Sequence, residues 1–259
     1  MGRIGPSYGH WLRRVQLAAL PLSRLRERAG VRVLRRHPHP ALRATFSRKR
    51  EKGFVACLIL FAALLSVPAA ARALHVVALG DSLTAGLGLP PGQAFPDVLQ
   101  AALRARGYDV EVANAGVSGE TAGDGLARYD WAVPDGTDAL IVELGANDML
   151  RGLDPDAAKK DLAAILARAR AAKVATLLTG MRAAPNMGAD YQRRFDAIYA
   201  DLARTYGAPL YPFFLEGVAG DPKLNQKDGL HPTREGVQKI VANILPSVEA
   251  LLKDASARP

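Results

Sequence analysis

Ser82 stands in Gly80-Asp81-Ser82-Leu83, directly after the apolar run Leu74-His75-Val76-Val77-Ala78-Leu79 and before Thr84-Ala85-Gly86-Leu87-Gly88. That order reads as a strand ending in a sharp turn that presents one hydroxyl. A serine hydroxyl is a poor nucleophile at neutral pH, so it needs a base, a group that aims the base, and donors for an oxyanion. An imidazole can take the serine proton near neutrality and return it to the leaving group. Of the five histidines, His10, His37 and His39 lie far upstream and His75 falls inside the first strand, which leaves His231. It follows Asp228 by three residues in Asp228-Gly229-Leu230-His231-Pro232, so one tight turn can carry the imidazole and a carboxylate that fixes its tautomer. Small residues around Gly116, in Asn114-Ala115-Gly116-Val117-Ser118-Gly119, let a backbone N–H approach a substrate oxygen closely. Asn147, in Gly145-Ala146-Asn147-Asp148, can add a side-chain N–H, and the Ser82 N–H completes three donors for one tetrahedral oxyanion.

Each motif taken singly also reads as ordinary local structure. Gly-Asp-Ser after a strand is a common turn and helix cap, Asn147-Asp148 and Asn114-Ala115-Gly116 are turn sequences, and His231-Pro232 is a common way into a helix. Their joint occurrence, in this order and at strand ends, favours a catalytic site. Glu143 interrupts an otherwise apolar strand and reads as a buried hydrogen-bonding group behind that site. Arg182, Arg193 and Arg194 read as solvated, with a loop arginine near the cleft able to meet a substrate phosphate.

The elements that must position these residues alternate between strand-like and helix-like patterns from Leu74 onward. Strands are predicted at Leu74–Leu79, Val110–Ala113, Ala139–Leu144, Val174–Leu178 and Pro209–Phe214. Between them, Phe95, Val98, Leu99, Ala102 and Leu103 fall at helical spacing before Gly107, and Asp154-Pro155 opens a helix with Ala158, Leu162, Ile165, Leu166 and Ala169 on one stripe. Further helices are expected at Tyr191–Tyr206 and from Thr233 onward, the last with Pro246 as a place to kink. This alternation predicts an α/β fold, a three-layer sandwich around about five parallel strands in a flavodoxin-like arrangement. Ligands in such sheets bind outside the carboxyl ends of the strands, which places Ser82, the Gly116 and Asn147 loops and the Met181–Ala189 loop on one edge.

The 259-residue chain carries a formal charge of +9, but that charge is not spread evenly. Residues 1–52 hold 14 Lys and Arg against Glu27 and Glu51, whereas residues 74–259 hold 19 basic against 23 acidic residues, a net of −4. The folded part is mildly acidic, and a nucleic-acid partner is excluded on that ground. Residues 1–47, rich in Arg and Pro without a sustained period, read as disordered or as the product of a start site assigned too far upstream. Residues 48–73 read as a signal peptide: Arg48-Lys49-Arg50-Glu51-Lys52, an apolar run from Gly53 to Val67, and an Ala-x-Ala tail cleaved after Ala73 or Ala71. Residues 74–259 then form a periplasmic or secreted enzyme domain. Cys57, the single cysteine, lies in the removed run, so neither a disulfide framework nor a thiolate metal site is available. No His and carboxylate cluster has metal-ligand spacing, and no cofactor is called for.

Together, Gly80-Asp81-Ser82-Leu83, Gly116 in its block, Asn147 in Gly-Ala-Asn-Asp, and Asp228-Gly-Leu-His231-Pro resemble the four ordered blocks of the SGNH (GDSL) hydrolase superfamily. The resemblance covers residues 75–252, and Met181-Arg182 with Pro212-Phe213-Phe214-Leu215-Glu216 is similar to the acyl-CoA thioesterase I / lysophospholipase L1 / arylesterase branch. It implies Ser82 as nucleophile, His231 as base, Asp228 as its orienter, and Ser82, Gly116 and Asn147 as oxyanion donors. None of these five positions departs from the pattern; Ala146, where close members often carry a second glycine, is a mild departure. The implied activity is hydrolysis of short to medium acyl (thio)esters and lysophospholipids by a monomer that touches membrane surfaces only transiently. Two alternatives stand beside it: a carbohydrate O-deacetylase, and a catalytically silent lipid-binding envelope protein.

Overall fold

A computed structural model describes residues 72–258. The expectations for residues 1–47 and for the signal peptide up to residue 71, Cys57 included, lie outside the described residues. Strands β1 (Leu74–Gly80), β2 (Val110–Gly116), β3 (Ala139–Glu143), β4 (Ala175–Thr179) and β5 (Leu210–Tyr211) form one parallel sheet in the order β2-β1-β3-β4-β5. That is the flavodoxin-like order, with a reversal of winding next to β1. β3 is buried along its whole length and β1 along its last five residues, as strands covered on both faces must be.

Among the described residues eight α-helices accompany the sheet: α1 (Ser82–Ala85), α2 (Phe95–Arg104), α3 (Ala122–Ala127), α4 (Tyr129–Ala132), α5 (Ala146–Leu150), α6 (Pro155–Ala171), α7 (Ala189–Tyr206) and α8 (Arg234–Ala257). α2 packs with α8 over one face, and α3, α6 and α7 pack together over the other, giving the three layers. The stripe foreseen on α6, from Ala158 to Ala169, is buried, and Asp154 caps that helix by accepting the Asp156 N–H. α8 is capped by the Thr233 hydroxyl and continues past Pro246.

β1, β3 and β4 differ from expectation by no more than one residue at either end, and β2 and β5 differ by more, for a visible reason. β5 is two residues long rather than six, because the Gly180 carbonyl just after β4 accepts from the Phe214 N–H, one residue beyond the regular ladder position, so the register ends at Tyr211. β2 extends three residues further, to Gly116, because each added residue finds a register partner on β1. That extension matters for the site. Register pairs Gly80 with Gly116 on one side and with Glu143 on the other, so the loops after β1, β2 and β3 leave the sheet side by side.

Candidate active site

Gly80 ends β1 where no side chain fits: a Cβ there would lie 2.1 Å from Thr84 Oγ1 and 2.7 Å from the Glu143 carbonyl oxygen. The chain turns tightly into α1, whose first residue is Ser82 and whose cap is Asp81, accepting the Leu83 N–H at 3.0 Å. Ser82 is 8% exposed and its hydroxyl opens into a cleft of about 670 Å³, well within the range of small-molecule sites. The cleft walls are mainly apolar, with Met181, Phe213 and Leu215 among them, and His231 and Asn147 at the reactive end.

His231 reaches Ser82 from the loop before α8. Its Nε2 lies 2.9 Å from Ser82 Oγ and its Nδ1 lies 2.6 Å from Asp228 Oδ2. Asp228 is held in turn by the backbone N–H groups of Leu230 and His231, at 2.9 and 3.0 Å to Oδ1, in a turn that Gly229 closes at φ +71°. The hydrogen bond to the imidazole, followed by these two N–H donors, lowers the Asp228 pKa to about 2. The carboxylate is therefore charged throughout the neutral range. It can hold the ring in the Nδ1–H tautomer, leaving Nε2 to accept the serine proton.

The expected oxyanion donors differ among themselves. The Ser82 N–H, in the first turn of α1, has no acceptor among the described residues, as first-turn groups commonly do. The Gly116 N–H donates to Asn114 Oδ1 at 3.0 Å, so an oxyanion there must displace or share with that amide oxygen. Asn147 Nδ2 donates to Asp81 Oδ2 at 3.0 Å and to the Glu120 carbonyl at 2.9 Å, which engages both its hydrogens. Asn147 thus clamps the nucleophile turn to the loop after β2 while its amide borders the cleft.

Beneath the serine lies a buried pair of carboxyl groups. Glu143 is 1% exposed; its Oε2 accepts the Thr84 hydroxyl at 2.7 Å and its Oε1 has no partner among the described residues. Burial first, and then the Asp81 charge, push its pKa well above the usual carboxylate range. Asp81 is also shifted upward by burial, against the two N–H groups that favour its charge. Asp81, less strongly shifted than Glu143 and closer to His231, whose charge favours its ionised form, is the member of the pair that ionises first.

The chain belongs to the GDSL-like lipase/acylhydrolase family. The family's sequence model matches residues 78–239. Esterase TesA of Pseudomonas aeruginosa is 41% identical over 197 residues, 76% of this chain and 96% of that protein. Thioesterase 1/protease 1/lysophospholipase L1 of Escherichia coli is 39% identical over 177 residues, 68% of this chain and 83% of that protein. Among solved structures, the SGNH-hydrolase family esterase AlinE4 is 47% identical with a TM-score of 0.59, covering 70% of this chain and 97% of that one. A crystal structure of TesA gives 36% identity and a TM-score of 0.66, covering 68% and 99%. This GDSL-like acylhydrolase is a carboxylic ester hydrolase.

Several supporting residues of the acylhydrolase escape sequence reasoning. Gln226 Nε2 donates to the Leu87 carbonyl at 2.7 Å and to the Pro232 carbonyl at 3.0 Å, tying the histidine loop to the segment after α1. Arg128 donates from Nη2 to the carbonyls of Gly80 and Ala115, at 3.1 and 2.8 Å, and from Nε to Glu120 Oε2 at 2.6 Å. Both act on backbone carbonyls, and nothing in a one-dimensional pattern marks a carbonyl as an acceptor. Arg193 and Arg194 pair with Asp190 and with Asp154 and Asp156, in line with their reading as surface groups. Among the described residues no group of His, Cys, Asp or Glu could hold a metal ion, and no helix is long and apolar enough to cross a membrane.

Proposed function

We propose that the protein is an exported serine esterase that cleaves short to medium acyl esters and lysophospholipids through a Ser82 acyl-enzyme. The observation that carries this is the unbroken chain Asp228 Oδ2, His231 Nδ1, His231 Nε2, Ser82 Oγ, with contacts of 2.6 and 2.9 Å, opening onto an apolar cleft. His231 accepts the Ser82 proton as Oγ bonds to the acyl carbon, and the negative charge gathers on the former carbonyl oxygen. The Ser82 N–H receives that charge, joined by the Gly116 N–H once Asn114 shares it and by the Asn147 amide once it gives up one of its two present acceptors, Asp81 or the Glu120 carbonyl. His231 then returns the proton to the leaving alcohol or thiol, and a water activated by the same imidazole releases the acid. The psychrotrophic esterase EstA of Pseudoalteromonas, 31% identical with a TM-score of 0.64, is inhibited by monoethylphosphonate in its crystal structure, a chemistry that fits a nucleophilic serine.

The acyl group fits the apolar cleft, and Leu87, Leu150 and Leu230, each about half exposed at its lining, offer a rim for a lipid substrate. The Met181–Ala189 loop borders the same space. Residues 74–259 are the hydrolase domain of this reading, and residues 48–73 direct export, so acyl-CoA is not its natural substrate. The test is a panel on the purified exported form. Octanoyl p-nitrophenyl ester and octanoyl lysophospholipids should be hydrolysed, acetylated sugars little, and the mature N-terminus should fall at residue 72 or 74. Preference for acetylated sugars would instead support the deacetylase alternative.

A further inference from the structure

Among the residues lining the cleft, Arg182 is the one that carries a permanent positive charge. Unlike Arg193 and Arg194, it makes no ion pair and donates no hydrogen bond among the described residues. Its guanidinium lies over the ring of Phe213, 5.0 Å from the centroid, and Phe213 lines the same cleft. Stacking on an aromatic face orients a guanidinium and leaves its N–H edge available, the geometry suited to bidentate contact with phosphate oxygens.

The backbone that presents Arg182 is pinned. Its neighbours Met181 and Ala183 are buried, the Ala183 N–H donates to Asp196 Oδ1 at 2.8 Å, and Gln192 Nε2 donates to the Ala184 carbonyl at 3.0 Å. An arginine flanked by two buried residues must point outward, here along the cleft wall. Residues 74–259 carry a net of −4, so the domain as a whole does not attract anions. A local cation is what an anionic substrate needs on this wall.

We infer that Arg182 is a specificity-determining residue that binds a phosphate carried by the substrate, favouring phosphate-bearing lysolipids over neutral monoacylglycerols. This rests on the ester-hydrolase reading above. The step it assists is binding; the acyl transfer to Ser82 keeps the same bonds made and broken.

The test compares 1-octanoyl lysophosphatidic acid with 1-monooctanoylglycerol, which differ by the phosphate, on the wild-type protein, Arg182→Gln and Arg182→Lys. The kcat/KM ratio of the phosphate substrate to the neutral one should fall by about 10-fold or more in Arg182→Gln, through KM, with Arg182→Lys between the two. Inorganic phosphate should compete weakly with the lysolipid in the wild type and not in Arg182→Gln, which separates a headgroup contact within the substrate from capture of any free phosphate. An equal ratio in wild type and Arg182→Gln overturns the inference while leaving ester hydrolysis standing. Hydrolysis of neither substrate overturns both.

Discussion

Glu143 sits 1% exposed beneath Ser82, with one carboxyl oxygen accepting from Thr84 and the other without a partner among the described residues. Its folded-state pKa is raised, so the folded protein holds a proton that the unfolded chain releases above the ordinary carboxylate value of about 4. Stability from this group is complete below that value and is lost as pH rises toward the raised folded-state pKa. Glu143→Gln mimics the protonated side chain without titrating. The unfolding free energy of the variant minus that of the wild type should therefore grow by about 1.4 kcal/mol per pH unit above pH about 4, as measured by denaturant titration. A difference that does not change with pH would show Glu143 to be ionised in the fold. At this scale the Ser82, His231 and Asp228 cluster was legible, because His231 is the one histidine on a loop of residues 74–259 and Asp228 precedes it by three residues, whereas Gln226 and Arg128 were not, because their partners are backbone carbonyls.

Elements bring the candidate site together through contacts at the strand ends. Arg128, at the junction of α3 and α4, bonds the carbonyls that close β1 and β2, and the Ala115 carbonyl belongs to the peptide unit whose N–H is Gly116's. Its Nε also holds Glu120, whose carbonyl accepts from Asn147. Replacing Arg128 with Met should loosen both donors and lower kcat by about 10- to 100-fold with little change in KM, and Arg128→Lys should recover part of the loss. Equal damage to KM would point to a collapsed cleft instead of misplaced donors. The long helices and strands could be read from their periods. The short α1, α3, α4 and α5 could not, since four to six residues hold no period to detect. The close approach of β2 to α1 was legible only as a glycine: a Cβ on Gly116 would lie 2.3 Å from the Ala85 nitrogen.

At the scale of the whole molecule, the parallel sheet puts three loops on one edge, and the last helix returns a fourth that carries His231. The parallel sheet followed from alternation of apolar runs and amphipathic stripes; the lengths of β2 and β5 did not, because they depend on which neighbour offers a hydrogen bond. The apolar cleft and its single permanent cation are likewise products of the assembled fold, drawn from residues more than a hundred positions apart. What this assembly claims above all is a nucleophilic serine, and intact-protein mass spectrometry after treatment with a fluorophosphonate probe tests it most directly. The wild-type protein should gain one adduct, mapped to Ser82 by peptide analysis, Ser82→Ala should gain none, and His231→Ala should react far more slowly. Labelling of Ser82→Ala to the same extent, or a wild-type protein that hydrolyses esters yet takes no adduct, would contradict the acyl-enzyme mechanism.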